Sequence, residues 1–154
     1  MTKLLFVCLG NICRSPMAEA IMNHYIKELD LDVSCDSAGT SSNHVGERLD
    51  KRALKKLNEH GIEAPHRARQ FSSADFKEFD FIFAMDKQNL QDILRLSNHS
   101  HNAQIKLMRA YDPTPENCEV PDPWFGDFQG FEPVYQMLDR TVLNFLKAEN
   151  FIYK

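Results

Sequence analysis

The sequence is poor in cysteine, glycine and proline, and it contains no long apolar segment. Its 154 residues include 4 cysteines, 6 glycines and 7 prolines. These numbers exclude a collagen-like chain and a small domain held together by a disulfide framework. No run approaches the ~18 apolar residues that a membrane span requires, so we expect no membrane partner. The 18 basic and 22 acidic residues give a net charge of -4, which offers no broad basic surface and predicts no nucleic-acid partner.

What remains is the composition of an ordinary globular protein. Hydrophobic residues make up 43% of the chain, and a chain of this length should bury about 68 to 70% of its unfolded surface. We therefore predict one domain covering residues 1–154. The apolar run at residues 4–9 superficially resembles a secretory leader, but Asn11 and Arg14 interrupt it at once, which favours a cytoplasmic protein.

Short apolar runs alternate with segments of helical periodicity along the chain. The runs predict strands at residues 3–8, 31–38, 79–85 and 104–109. The periodic segments predict helices at residues 15–29, 48–59, 87–96 and 132–149. In the first helix, Ser15 is the expected N-cap and Glu19 lies on the outward face. The alternation predicts an α/β fold: three layers, with a four-stranded parallel sheet flanked by helices on both faces. Residues 111–130, which hold Pro113, Pro115, Pro121 and Pro123, are expected to form a long irregular loop.

The segment between the first strand and the first helix, residues 8–15, is called the cysteine loop below. A strand, a tight turn and a helix N-terminus together direct backbone N–H groups at one point and form an anion cradle. Gly10 and Asn11 tolerate the positive φ that such a turn needs. The same groups favour the thiolate form of Cys8. Arg14 can bind two oxygens of a phosphoryl group, and Ser15 can donate its hydroxyl to the sulfur.

Other chemistry for the cysteine loop fits the residues less well. A nucleotide-binding loop of the form G-x-x-x-x-G-K-[ST] would need a second glycine and a lysine. A zinc site would need paired cysteines or neighbouring histidines, whereas Cys35 and Cys118 are isolated in the sequence. Two interpretations of Cys13 stay open. It either forms a reversible disulfide with Cys8 or is a small residue that fills space under the loop.

The residues 122–126, D-P-W-F-G, are called the aspartate segment below. A thiolate that attacks a phosphate ester must expel an alkoxide or a phenoxide. Because the pKa of a phenol is ~10, this departure is slow without a proton donor. Asp122 lies between Pro121 and Pro123, which restrict the backbone and fix the direction of the carboxyl group. Trp124 and Phe125 follow directly and could form a wall of an aromatic cleft. From these residues alone, an aspartate in a simple turn, with the aromatic side chains packed into the core, is the better-supported interpretation.

The combination C-L-G-N-I-C-R-S-P at residues 8–16 and D-P-W-F-G at residues 122–126 resembles the low-molecular-weight protein tyrosine phosphatases. D-S-A-G-T at residues 36–40, H-G-I at residues 60–62 and A-M-D at residues 84–86 extend this resemblance over most of the chain. It implies hydrolysis of phosphotyrosine through a phosphocysteine intermediate, with Cys8 as nucleophile, Arg14 as phosphate clamp and Asp122 as general acid and base. It implies no metal and no cofactor. The implied partners are phosphotyrosine-containing proteins, inorganic phosphate and phosphate analogues.

The resemblance also implies roles for residues around these three. The implied phosphate-binding loop includes Leu9, Gly10, Asn11, Ile12, Cys13 and Ser15. Asn11 and Ser15 would join Ser37 and His66 in a hydrogen-bond network that supports the loop. The implied substrate cleft is lined by Ile12, Asn43, His44, Trp124 and Phe125.

This chain departs from the family pattern at both cleft walls. Family members commonly carry tyrosines after the proline of the aspartate segment and an aromatic residue near positions 43 and 44, where this chain has Asn43 and His44. A protein arginine phosphatase of the same fold is the nearest alternative. Members of that branch resemble this chain but carry a threonine at the position of Ile12. An arsenate reductase would need further cysteines near residues 76–92, and a non-catalytic phosphate-binding module would not need Asp122. We expect a monomer, with weak dimer formation through the aromatic cleft as an alternative.

Overall fold

The computed structural model describes residues 1–114 and 118–153, and its centre is a parallel sheet of four strands. The strands are β1 (Thr2–Cys8), β2 (Val33–Gly39), β3 (Phe81–Ala84) and β4 (Gln104–Leu107). They lie in the order β2-β1-β3-β4, and every neighbouring pair is parallel. The first strand is therefore central, and residues Leu4 to Cys8 are all buried. A continuous apolar run is what a strand covered on both faces requires.

In the described part of the chain, five α-helices connect and cover the strands: α1 (Arg14–Leu29), α2 (Lys51–Glu59), α3 (Asp75–Glu78), α4 (Lys87–Leu96) and α5 (Phe131–Ala148). Leu4 and Phe6 of β1 face one core with α1 and α5, whereas Leu5 and Val7 face a second core with α4. The sheet thus has a hydrophobic core on each side. This arrangement confirms the predicted three-layer α/β fold.

The helix boundaries show where the sequence prediction was wrong. Ser15 is not the N-cap of α1: the helix begins at Arg14, and the Ser15 hydroxyl contacts Asn11 and Cys8 instead of the helix backbone. The second helix begins at Lys51 rather than at residue 48, because the side chain of Asp50 accepts a hydrogen bond from the Arg52 backbone N–H and caps it there. Asp86 caps α4 as predicted, accepting from the Asn89 N–H at 2.7 Å.

A 3₁₀ turn at Met108–Tyr111 leads into the predicted irregular stretch at residues 111–130, which contains further 3₁₀ turns at Pro123–Phe125 and Phe128–Gly130. Pro115, which belongs to that prediction, lies outside the described residues. Within the described parts of the chain, no helix combines the length and the apolar character that a bilayer crossing needs.

Candidate active site

The cysteine loop begins at the carboxyl end of β1, beside the end of β2. Cys8 pairs with Gly39 in the sheet, and the Thr40 and Ser41 N–H groups donate to the carbonyl oxygens of Cys8 and Leu9, both at 2.9 Å. The two strands that follow β1 in the sequence, β2 and β3, pair with opposite edges of β1. In open parallel sheets, ligands bind at such a reversal of strand order.

The loop has the tight backbone that the sequence predicted, but Asn11 and Gly10 contribute in different ways. Asn11 has a φ of 59°, in the left-handed region that asparagine tolerates. Gly10 does not have a positive φ, so that part of the prediction was wrong. A Cβ atom at Gly10 would lie 3.0 Å from His44 Cδ2, so close packing favours glycine there.

The sulfur of Cys8 is held by polar contacts inside the loop. The Asn11 N–H donates to Cys8 Sγ at 3.3 Å, and Ser15 Oγ lies 3.0 Å from the same sulfur. Cys8, Asn11 and Ser15 are all buried. Donors aimed at a buried sulfur stabilise negative charge on it.

Beneath the loop, Asn11 is the centre of a buried hydrogen-bond network. Its side-chain amide donates to Ser15 Oγ at 2.8 Å and to Ser37 Oγ at 2.9 Å. The Arg69 N–H donates to the Asn11 side-chain oxygen at 3.0 Å, and His66 Nε2 lies 2.7 Å from the Asn11 carbonyl oxygen. The structure therefore brings together the four residues that the resemblance implied.

Glu19 belongs to this network, and the prediction that it faces outward was wrong. Ser37 Oγ donates to Glu19 Oε1 at 2.5 Å, and His66 Nδ1 lies 3.8 Å from the same oxygen. Burial is the main cause that raises the pKa of Glu19 to about 7, with the charge of Asp36 adding to it. Burial also lowers the pKa of His66. Burial therefore favours the neutral forms of both the Glu19 carboxyl group and the His66 imidazole, which belong to the network that supports the cysteine loop.

Arg14 is 3% exposed and is surrounded by oxygen acceptors. Its Nη1 donates to Asp86 Oδ2 at 2.7 Å and to the Val120 carbonyl oxygen at 3.0 Å. Its Nη2 lies 3.5 Å from Asp122 Oδ2. Burial alone would lower the pKa of Arg14, but the negative charges of Cys8, Asp86 and Asp122 raise it above its ordinary value. The guanidinium is thus a fixed positive charge next to the cysteine loop.

Asp122 faces the cysteine loop from the other side of the site. One carboxylate oxygen accepts a hydrogen bond from the Trp124 N–H at 3.0 Å, and the other is the oxygen close to Arg14. Its side chain is 28% exposed, so protons and water can reach it. The carboxyl group therefore has a defined direction while remaining accessible.

A cavity of about 210 Å³ lies between the cysteine loop and the aspartate segment. It is lined by Cys8, Leu9, Gly10, Ile12, Cys13, Arg14, Ser41, Asn43, His44, Asp122, Trp124 and Phe125. All five residues of the predicted cleft are among them. The ring centroids of His44 and Trp124 are 5.6 Å apart, so the two walls touch on one side. Phe125 is 86% exposed and extends an apolar surface outward from the mouth.

Asp86, Gly39 and Val120 are among the contributors to the site that the sequence prediction did not place in this role. Asp86 was expected only to cap a helix, yet its second oxygen binds Arg14. Gly39 must be glycine because a Cβ atom would lie 2.7 Å from the Leu9 carbonyl oxygen. The Val120 carbonyl oxygen belongs to the backbone, so the identity of the side chain at this position does not indicate its contact with Arg14. The D-S-A-G-T and A-M-D segments marked the positions of Gly39 and Asp86 without indicating these contacts.

The other thiols differ from Cys8 in their surroundings. Cys13 is buried at the edge of the cavity, and burial, followed by the charge of Asp50, raises its pKa. Cys35 is partly buried beside Asn23, and burial raises its pKa as well. Among residues 1–114 and 118–153, no cluster of three His, Cys, Asp or Glu side chains is arranged to hold a metal ion.

The fold and this cavity define an α/β protein with a thiol, a guanidinium and a carboxylate around one cavity. The family model for low molecular weight phosphotyrosine protein phosphatase matches residues 3–150. A protein of that name from Schizosaccharomyces pombe is 44% identical over 154 residues, covering 96% of this chain and 99% of the relative. The chain belongs to the low molecular weight phosphotyrosine protein phosphatase family, which confirms the predicted family and enzyme class.

Solved structures share this fold. The crystal structure of Primo-1 superposes with a TM-score of 0.93 at 36% identity, covering 97% of this chain and 99% of that one. The structure of a Drosophila arginine phosphatase gives a TM-score of 0.92 at 37% identity, covering 96% and 98%. Similarity of fold therefore does not separate a phosphotyrosine substrate from a phosphoarginine substrate.

Proposed function

We propose that the protein hydrolyses phosphotyrosine and related aryl phosphate monoesters through a phosphocysteine intermediate. The observation that carries this proposal is the meeting of Cys8, Arg14 and Asp122 around one cavity, with Asp122 Oδ2 and Arg14 Nη2 3.5 Å apart. Cys8 and Arg14 belong to the same loop, whereas Asp122 comes from a distant part of the chain. A module that only binds anions has no need of the carboxylate.

In the first step, the Cys8 thiolate attacks phosphorus and forms a sulfur–phosphorus bond. The bond between phosphorus and the phenolic oxygen breaks, and Asp122 donates its proton to that oxygen. Arg14 and the N–H groups of the cysteine loop bind the equatorial oxygens as negative charge develops on them. The Ser15 hydroxyl, 3.0 Å from the sulfur, stabilises the thiolate before attack.

In the second step, Asp122 accepts a proton from a water molecule that attacks the phosphocysteine. The sulfur–phosphorus bond breaks, inorganic phosphate is released, and Cys8 leaves as a thiolate that Ser15 again stabilises. Asp122 returns to its protonated form, so that protons balance over the cycle. Inorganic phosphate and analogues such as vanadate are then expected to compete for the same cavity.

Substitution of Cys8 and Asp122 tests these roles. Cys8→Ser should abolish turnover while substrate binding, measured by calorimetry, remains. Asp122→Ala should reduce kcat/KM by about 10²- to 10⁴-fold on phenyl phosphate, the range that a positioned acid contributes. The loss should be smaller for esters of more acidic phenols, whose departure needs less help. Turnover by the Cys8→Ser variant comparable to wild type would refute the nucleophile assignment.

Protein arginine phosphatase is the second candidate, and the similarity to the Drosophila arginine phosphatase supports it. The Ile12 side chain favours phosphotyrosine, because it presents only an apolar surface to the cavity and cannot position a water molecule. Matched peptides carrying phosphotyrosine or phosphoarginine at the same position decide between the two. We expect kcat/KM to be higher for the phosphotyrosine peptide. Equal values, or a preference for phosphoarginine, would overturn this substrate assignment.

A further inference from the structure

Arg52, a residue of α2 outside the cavity lining, holds the aspartate segment by its backbone. Its Nη1 donates to the Gly126 carbonyl oxygen at 2.8 Å, and its Nη2 lies 3.2 Å from the Trp124 carbonyl oxygen. Two backbone carbonyls within the same five residues as Asp122 are thus bound to one rigid guanidinium. This planar group presents several donors in a fixed arrangement that a lysine cannot copy.

An adjacent edge of the same guanidinium, formed by Nε and Nη2, is bound to Asp50. Arg52 Nε and Nη2 lie 3.1 and 3.0 Å from the two carboxylate oxygens of Asp50. Hydrogen bonding to Asp50 is the main cause that raises the pKa of Arg52, so the guanidinium stays charged. A two-pronged pair of this kind fixes direction as well as distance.

Asp50 in turn is bound to the cysteine loop. Its backbone N–H donates to the Ile12 carbonyl oxygen at 2.8 Å. A continuous path of hydrogen bonds therefore runs from Ile12 through Asp50 and Arg52 to Trp124 and Gly126. The path joins the loop that carries Cys8 to the segment that carries Asp122.

Ring contacts hold the guanidinium in place. The Arg52 carbon Cζ lies 4.9 Å from the ring centre of Phe131 and 5.5 Å from that of Trp124. Phe131 is fully buried at the start of α5, so it provides a fixed surface for the arginine. Contacts of cations with aromatic faces add to the hydrogen bonds and restrict the rotamers of Arg52.

The aspartate segment needs such an anchor because much of it faces water. Phe125 is 86% and Trp124 39% exposed. Local hydrogen bonds, from the Trp124 N–H to Asp122 and from the Gly126 N–H to the Pro123 carbonyl, shape the turn but do not attach it to the rest of the protein. The bond from the Val120 N–H to the Met85 carbonyl oxygen attaches the chain before Asp122, and Arg52 attaches it after Asp122.

We propose that Arg52 is a positioning residue that holds the Asp122 carboxyl group over the leaving-group side of the cavity. This inference rests on the proposed function, since it assigns to Arg52 the alignment of the proposed proton donor. Misplacement of a catalytic group by about 1 Å can cost up to 10²-fold in rate. Loss of Arg52 therefore weakens proton donation more than phosphate binding.

The test compares Arg52→Ala, Arg52→Lys and the control Lys51→Ala, which removes a cation from the neighbouring exposed position on α2. The kcat/KM values are measured on a series of aryl phosphates, because this ratio reports the step in which the phenol leaves. For Arg52→Ala we expect a loss of about tenfold on phenyl phosphate, part of the ~10²- to 10⁴-fold that a positioned acid supplies, and a much smaller loss for the most acidic phenol. Arg52→Lys should recover part of the rate, and Lys51→Ala should match wild type.

A second arm introduces Arg52→Ala into the Asp122→Ala protein. If Arg52 acts through Asp122, the double variant has the same kcat/KM on phenyl phosphate as Asp122→Ala alone. An equal loss in both backgrounds would overturn the proposal, as would a uniform loss across all leaving groups. Thermal unfolding of each variant measures any loss of folded protein, which would lower all rates equally.

Failure of this inference is distinguishable from failure of the proposed function. If wild type does not hydrolyse aryl phosphates, or if Cys8→Ser remains active, the proposed function is rejected, whatever the Arg52 variants do. Suppose that wild type is active and Cys8→Ser is not. If Arg52→Ala then lowers kcat/KM by the same factor for every leaving group, the role of Arg52 is rejected and the proposed function stands.

Discussion

The environment of Glu19 differs from what its sequence position suggests. Its position on α1 reads as part of a solvated face, yet Ser37 from β2 donates to it beneath the cysteine loop. Helical periodicity gives the direction of a side chain relative to the axis but not the polar partner that a neighbouring strand supplies. Motif residues such as Cys8, Arg14 and Asp122 were found because several signals coincide. Glu19 has no such signal beside it, and the A-M-D segment marked the position of Asp86 without indicating its contact with Arg14.

The raised pKa of Glu19 predicts a stability difference that depends on pH. The folded protein holds a proton on Glu19 up to about pH 7, whereas the unfolded chain releases it near 4.5. Between these values the folded state binds more protons, so stability falls as pH rises. Glu19→Gln keeps a hydrogen-bond acceptor for Ser37 but cannot ionise. Relative to wild type, it should therefore gain stability from pH 5 to pH 7.5, by up to about 3 kcal/mol.

Urea unfolding at several pH values between 5 and 8 measures this difference. Ser42→Ala, which changes an exposed residue of the loop after β2, is a suitable control and should follow the wild-type profile. Parallel pH profiles for wild type and Glu19→Gln would show that Glu19 does not titrate in this range in the folded protein.

At the scale of elements, the sequence predicted the strands and long helices well and the connections less well. Hydrophobic runs and periodic faces identified all four strands and α1, α2, α4 and α5, because burial against a sheet dictates those patterns. The helix α3 has only four residues, too few for a periodic pattern. The start of α2 also differs from the prediction. One local contact, the cap at Asp50, determines it, and hydrophobic periodicity does not report such a contact.

One buried carboxylate helps to attach the turn at Met108–Tyr111 to α5. Asp112 is fully buried and accepts from Arg109 Nε at 2.8 Å and from Arg140 Nε at 2.9 Å. Although burial opposes ionisation, the hydrogen bonds from Arg140, the Thr114 backbone and Arg109 hold the pKa of Asp112 well below its usual range. Neutralising it leaves the buried guanidinium of Arg109 without this counter-charge.

Asp112→Asn should therefore lower the free energy of unfolding by about 3 to 5 kcal/mol at pH 7. The exposed pair of Lys3 and Glu78 is the contrast: Glu78→Gln should cause no measurable change. Because the folded pKa of Asp112 is depressed, its contribution is fully present above the unfolded value of ~3.9 and decreases as pH falls below it. Urea unfolding checks both variants, and equal effects of the two substitutions would contradict this account.

At the scale of the whole molecule, the order of the strands creates the site. With β1 between β2 and β3, the chain that leaves β1 meets the Gly39 end of β2 on one side and Asp86, just after β3, on the other. The aspartate segment then returns over this edge from far along the chain. Sequence alone supplied the residues through family resemblance, but the hydrogen-bond path through Arg52 depends on how distant segments pack.

The central claim is that Cys8 carries the phosphoryl group during the reaction, and trapping of that intermediate tests it most directly. The Asp122→Ala protein, which lacks the proposed base for the second step, is mixed with an aryl phosphate of an acidic phenol and quenched rapidly. Mass spectrometry of its peptides then locates the phosphoryl group. We predict one phosphoryl group on Cys8 and none when Cys8→Ser is added to the same protein. Release of the phenol with no phosphoryl group on Cys8 at any quench time, or with the group on another residue, would contradict it.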